Sequence, residues 1–149
     1  TFLSAGEYQL TLIARADLVN FRLQLLDSQV AQALNETNNH TVSTTLQGHD
    51  RQLYRVDLAT AQALAIQWST TNTADVQWSL YDEYGALLLA STSTENLQTD
   101  ILNAGRYFIV VTGQAGLTDT VNYSLGITPK KNKHCLFFLY PSVTPCGLK

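Results

Sequence analysis

The sequence predicts an all-β chain folded as an antiparallel β-sandwich. Three observations point there. Apolar and polar residues alternate with period two in segment after segment. Turn-forming residues break these segments about every eight to twelve positions, the spacing of small sandwiches. A motif near the start of the chain returns near its end, so the same strand pair is written twice.

The repeat fixes the domain plan. Leu-Ser-Ala-Gly-Glu-Tyr at residues 3–8 returns as Leu-Asn-Ala-Gly-Arg-Tyr at 102–107, an offset of 99. Val-Asn-Phe-Arg-Leu at 19–23 returns as Val-Asn-Tyr-Ser-Leu at 121–125, an offset of 102. A period near 100 is the size of a small domain rather than of a solenoid turn. The chain therefore reads as a slice of a tandem array. Residues 1–34 are the last strands of a preceding repeat with a connector, 35–41 a linker, 42–128 a complete sandwich, and 129–149 an atypical tail. On this plan residues 1–34 are dispensable to the stability of the remainder.

Taken in order, Tyr8, Leu10 and Leu12 share one face of a strand, and Phe21, Leu23 and Leu25 alternate in the same way. Residues 26–34 read as a connector or a helical turn. A weak strand at 42–46 closes on Gln47, Gly48, His49 and Asp50, and a stronger one follows at 53–58 with Tyr54, Val56 and Leu58 on one face. Leu64, Ile66 and Trp68 align in the next strand, and Val76, Trp78 and Leu80 in the one after it. Asp-Glu-Tyr-Gly at 82–85 is a tight turn, with Gly85 where positive φ is expected. Strands at 86–90, 97–102, 107–112 and 121–127 complete the set. Trp68, Trp78, Val56, Leu80, Ile109 and Val111 are the expected core.

Charge divides the chain. Through residue 129 it carries five Arg against twelve Asp and Glu, a formal charge of −7, with no Lys, Cys or Met. Such a body disfavours a nucleic-acid partner, whose phosphates are neutralised by Lys and Arg, and an anionic membrane surface. No run of about twenty apolar residues is present, so no transmembrane helix is expected. A Cys-free body suits an oxidising, extracellular setting. All four Lys (130, 131, 133 and 149) and both Cys (135 and 146) fall in the last twenty residues. That tail is either an attachment segment or, the favoured reading, disordered or non-native sequence. Cys135 and Cys146 either close a small loop or are incidental.

Each candidate functional group has a structural counterpart. Trp68 and Trp78 are a carbohydrate-stacking platform if exposed, but alternation favours the core. Tyr8 and Tyr107, each after Ala-Gly at a strand start (Gly105 before Tyr107), have the placement of a tyrosine corner, a phenol bonded back to the backbone. Asp50, Asp57, Asp75, Asp82 and Glu83 are candidate oxygen ligands for Ca²⁺, with Asp50, Asp82 and Glu83 foremost. They lack the spacing of a calcium loop, which favours solvated turn acids. His40, His49 and His134 show no metal-ligand spacing, and no nucleophile elbow exists. Asn35, Asn39 and Asn122 head glycosylation-type tripeptides.

The order of these motifs resembles a known family. Gly-His-Asp-Arg-Gln-Leu-Tyr-Arg-Val-Asp-Leu at 48–58, a strand ending near Trp68, Trp-Ser-Leu-Tyr-Asp-Glu-Tyr-Gly at 78–85, Ala-Gly-Arg-Tyr at 104–107 and a closing Tyr-Ser-Leu strand are similar to the bacterial pre-peptidase C-terminal (PPC) domain and its relatives. The resemblance covers about residues 42–128, with a partial copy at 3–26. It implies a jelly-roll-like sandwich, export to the cell surface or medium, and a non-catalytic role beside proteases, adhesins or other surface modules. Some relatives bind Ca²⁺ near the domain's N-terminal linker, where this chain holds a single acid, Glu36.

Two functions follow as expectations. One is a structural or adhesive spacer whose partners are neighbouring repeats of the same chain. The other is an accessory module that grips a polysaccharide or protein substrate for an attached hydrolase such as a peptidase. Neither invokes catalysis or a cofactor beyond Ca²⁺. A sheet face bearing exposed aromatics favours binding; one made of Thr, Ser, Gln and Asn favours the spacer.

Overall fold

A computed structural model of the chain describes residues 3, 6–11, 23–34, 41–48, 50–71, 76–91, 96–114 and 120–130. Among them run nine strands and no helix: β1 (Gln32–Leu34), β2 (Thr41–Gln47), β3 (Arg51–Leu58), β4 (Ala63–Thr70), β5 (Val76–Asp82), β6 (Leu87–Ser91), β7 (Leu97–Gln98), β8 (Gly105–Gly113) and β9 (Thr120–Lys130). They form a five-stranded sheet, β1-β3-β8-β5-β6, and a four-stranded sheet, β2-β9-β4-β7. Every pairing is antiparallel except β1 with β3. Leaving β1 aside, one sheet takes the first, eighth, third and sixth strands and the other the second, seventh, fourth and fifth. That interleaving is the jelly roll, as expected.

Alternation produces the core. Val56, Trp78, Leu80, Ile109 and Val111 from one sheet, and Leu64, Ile66, Leu125 and Ile127 from the other, are fully buried, with Trp68 at 3% exposure. Each strand gives its odd or its even residues to the space between the sheets, so one face of each sheet is dry. All six core residues expected from the sequence lie there.

The strand plan differs from expectation in three places. Gln32, Ala33 and Leu34 pair in parallel with Tyr54, Arg55 and Val56, and Leu34 is buried in the core. A strand of the sheet thus lies within the 1–34 stretch, and β9 runs on to Lys130. Residues 7–11 and 23–27 were expected to be strands but lie in none, because alternation becomes a strand only where a neighbour completes the hydrogen-bond ladder. The strand expected over 97–102 shrinks to Leu97 and Gln98, with an isolated bridge from Leu102 to Gln62. The 35–40 linker, the tail from 131, Asp75, all three His and both Cys lie outside the described residues.

Candidate functional site

The acids named as Ca²⁺ candidates stand at opposite ends of one sheet. The Asp50 carbonyl accepts a hydrogen bond from Gly113 N–H at 2.9 Å, and Gly113 pairs with Val76 at the start of β5. Asp82 closes β5 opposite Tyr107, with Glu83 next in the chain. The length of β5 puts about 20 Å between the two ends, so Asp50 and Asp82 cannot share an ion. Asp82 also has a structural task. Its Oδ1 accepts from Tyr84 N–H at 3.0 Å and Ala86 N–H at 2.8 Å, and its carbonyl accepts from Gly85 N–H at 3.1 Å. These bonds tie off the β5–β6 turn, in which Gly85 adopts φ 86°. No group of three or more His, Cys, Asp or Glu placed to hold a metal occurs among the described residues.

The aromatic candidates are interior. Trp78 is fully buried, and Trp68 stacks on Tyr123 with ring centroids 5.2 Å apart at 29°. Neither indole N–H finds a hydrogen-bond partner among the described residues. Both rings serve packing, and neither offers a platform for a sugar. Tyr107 donates its hydroxyl to the Asn103 carbonyl at 2.9 Å, the geometry of a tyrosine corner. Burial pushes its pKa up, and the Asp82 and Glu83 charges push it further. Gly105 opens β8 at φ 156°, which L side chains rarely adopt. Tyr8, its counterpart's twin in the repeat, is 55% exposed.

The two outer faces differ in chemistry. On the four-stranded sheet, Ser43, Ser124 and Ser69 form a row across β2, β9 and β4, with Ser43 Oγ donating to Ser124 Oγ at 3.3 Å. Thr45 and Asn122 pair beside that row, and Gln67 extends it on β4. This face is hydroxyl and amide.

The five-stranded sheet turns out Arg51, Leu53, Arg55 and Asp57 from β3, Arg106, Phe108 and Val110 from β8, and Tyr81 from β5. Arg51, Arg55 and Arg106, the three Arg among the described residues, all lie here. Asp57 receives a hydrogen bond from Arg106 Nε at 3.0 Å. Arg55 Nε also lies 2.9 Å from Asp57 but lacks hydrogen-bond alignment, so that contact is Coulombic. Phe108 is only 3% exposed although alternation turns it away from the core. A cleft of about 250 Å³ opens on this face; Arg51, Leu53, Tyr81 and Val110 form its floor, and residues of the N-terminal segment form its wall.

Sequence reading missed one cluster. Tyr54, Tyr123 and Gln52 meet between the sheets. The signal for it was a polar residue, Gln52, at an inward position of β3, two residues before Tyr54.

Fold and topology define a PPC-like β-sandwich, which bears out the resemblance at the level of fold. Among similar solved structures is the pre-peptidase C-terminal domain of collagenase from Bacillus anthracis, 17% identical, covering 68% of this chain and 99% of that one at a TM-score of 0.53. PliG from Aeromonas hydrophila, a periplasmic inhibitor of g-type lysozyme, is 12% identical and covers 67% of this chain and 97% of its own at 0.54. The Yersinia pseudotuberculosis-derived mitogen is 19% identical, with 72% and 96% covered at 0.50. No protein-family model and no curated protein matches the sequence.

Proposed function

We propose that the chain is a non-catalytic spacer repeat, structural or adhesive, of a large exported bacterial protein. The observation that carries this reading is the outer face of the four-stranded sheet. Ser43, Thr45, Gln67, Ser69 and Asn122 are exposed there, small, uncharged and without an aromatic among them. The large aromatics of the sandwich, Trp68, Trp78, Tyr54 and Tyr123, are spent on the core. Such a surface keeps a repeat soluble beside many copies of itself, because it lacks both the apolar patches and the single-sign charge fields that drive association.

A second reading has its own support. Arg51, Arg55 and Tyr81 on the other sheet are residue types enriched at binding surfaces, and the fold is shared with a domain of a collagenase. On that reading the chain is an accessory module holding a polysaccharide or protein substrate for an attached hydrolase. Titration of the whole chain with bacterial polysaccharides, gelatin and collagen, alongside peptide, ester and glycoside hydrolysis assays, separates the two. The spacer reading expects neither saturable binding nor turnover. Saturable binding that Arg51→Ala abolishes would replace it with the accessory module.

A further inference from the structure

Residues 3–25 repeat the sequence of β8 and β9, yet the two copies stand in opposite environments. Tyr107, Ile109, Leu125 and Ile127 are buried in the sandwich. Their counterparts Tyr8, Leu10, Leu23 and Leu25 are 55%, 60%, 56% and 80% exposed. The same alternating pattern is thus folded into a core once and left open to solvent once.

The other side of the same segment is occupied. Leu26 and Ser28 are half-buried while Leu23, Leu25 and Asp27 between them are exposed. Gln24, in phase with Leu26 and Ser28, donates its side-chain N–H to the Arg51 carbonyl at 3.2 Å. Leu26 and Ser28 wall the cleft whose floor is Leu53, Tyr81 and Val110, with Leu25 at its rim. The residues of 23–28 that would face outward in a β9-like strand are therefore those that touch the sheet. Leu23 and Leu25, which would face a core, stay mostly open to solvent, at 56% and 80% exposure.

We infer that the outer face of the five-stranded sheet is the joint between consecutive sandwiches. The closing strand of one unit lays Gln24, Leu26 and Ser28 on the next unit's sheet, and turns Leu23 and Leu25 into its own unit's core. This inference rests on the array part of the spacer reading. Its occupant is a unit of this chain's own kind, and charge agrees with that choice. The body through residue 129 is −7, whereas the three described Arg gather on this one face, outnumbering Asp57, which pairs with Arg55 and Arg106. A neighbour of the same composition brings negative charge to positive, within the ~10 Å over which exposed charges act at 0.1 M salt. The joint also accounts for an apolar strip of Leu53, Val110 and Tyr81 on a sheet whose other face already carries the core.

The test is thiol labelling of the whole chain with Cys135 and Cys146 replaced by Ser. The thiol introduced by Leu26→Cys is expected to react about tenfold more slowly than that introduced by Leu25→Cys, one position away, because only the first is seated. Adding Leu53→Ser, or separately Arg51→Ala, to Leu26→Cys should erase that difference while far-ultraviolet circular dichroism holds the sandwich unchanged. Equal rates at positions 25 and 26 in the otherwise intact chain would overturn the joint and leave the spacer reading standing. Slow labelling at 26 together with saturable polysaccharide binding would keep the joint and remove the spacer reading.

Discussion

The hydroxyls of Tyr54 and Tyr123 meet at 2.5 Å across the interior of the sandwich. Tyr54 comes from β3 and Tyr123 from β9, so the bond joins the two sheets directly. Gln52 Oε1 lies within hydrogen-bond reach of both hydroxyls, 2.9 Å from that of Tyr54, so the two phenolic protons are shared among the three oxygens, while Gln52 Nε2 donates to the Thr45 carbonyl at 3.3 Å on the opposite sheet. A sandwich core of aliphatic side chains tolerates sliding of one sheet on the other. A buried polar cluster does not, because any slide strands its donors and acceptors.

The cluster should give the fold an alkaline limit. Burial raises both phenol pKa values; the hydrogen bond the two hydroxyls share raises that of Tyr123 further and partly offsets the rise in Tyr54. The folded state thus holds these protons more tightly than the unfolded chain, whose phenols titrate near 10.0. This stability is fully present below pH 10 and is lost as pH climbs above it toward the folded pKa values, by up to about 1.4 kcal/mol per pH unit for each phenol. Urea unfolding followed from pH 7 to 11.5 should be flat, then fall above pH 10. Tyr123→Phe should cost about 1 kcal/mol at pH 7, since Tyr54 keeps Gln52, and should make the alkaline fall shallower. An unchanged alkaline slope in that variant would remove the cluster from the account.

Gly113 and Gly126 should respond differently to one added carbon. A Cβ on Gly113 would collide with the Gly48 carbonyl oxygen, a backbone atom held by the turn that brings Asp50 across the end of β8. A Cβ on Gly126 would meet Thr41 Oγ1 at 2.9 Å and Gln67 Oε1 at 3.2 Å, both side-chain atoms on the solvated face. Gly113→Ala should therefore lose about 3 kcal/mol or more and Gly126→Ala about 1 kcal/mol or less, read from denaturant midpoints. Equal losses would show that the turn yields as readily as a side chain.

How much of this was legible in the sequence depends on how local the cause is. Alternation is a property of each strand alone, so β2 to β6, β8 and β9, the core Trp residues and the Gly85 turn were all readable. The parallel β1 was not. Three residues carry no period, and what makes them a strand is the free edge of β3, which the sequence of 32–34 does not mention. The reverse error occurred at residues 7–11 and 23–27, where the pattern is strong but no ladder partner meets it among the described residues. The Asp82 carboxylate stood as a candidate metal ligand beside the favoured reading of a turn acid, because its two backbone donors, Tyr84 and Ala86, are visible only once the chain turns.

That use of Asp82 bears on calcium. An oxygen already accepting two backbone N–H bonds is a poor cation ligand, since the ion must displace both donors. Thermal melts with millimolar Ca²⁺ and with chelator should superimpose. Asp82→Ala should cost about 1–2 kcal/mol in either condition, and Asp82→Asn clearly less, because the amide oxygen can still accept. A rise in Tm with Ca²⁺ that vanishes in Asp82→Ala would restore the ligand assignment.

Leu34 tests where the sandwich begins. It is 3% exposed and belongs to the core cluster, whereas Val30, four residues earlier, is 78% exposed. Leu34→Ala should cost about 2–4 kcal/mol, and Val30→Ala should stay within about 0.5 kcal/mol. A neutral Leu34→Ala would mean that β1 is an ornament of the sheet edge and would favour the start at residue 42 expected from the sequence alone.

Tyr8 and Tyr107 occupy the same place in the repeated motif and should behave as different residues. Tyr107 is 7% exposed and its hydroxyl bonds the Asn103 carbonyl at 2.9 Å, fixing the approach to β8. Tyr8, on the other side of an identical Ala-Gly-Xaa spacing, is 55% exposed. Tyr107→Phe deletes one partly buried hydrogen bond and leaves the ring in place, so about 1 kcal/mol should be lost, with the Asn103 carbonyl left without its phenol donor. Tyr8→Phe should change stability by no more than about 0.5 kcal/mol. Chemical denaturation of the two single variants and the double variant decides the matter. Losses that add to the Tyr107→Phe value alone place the corner in β8 only. A comparable loss from Tyr8→Phe would mean that Tyr8 is held in a corner like that of Tyr107, and that the core-facing side of the first copy is not left open for its own unit.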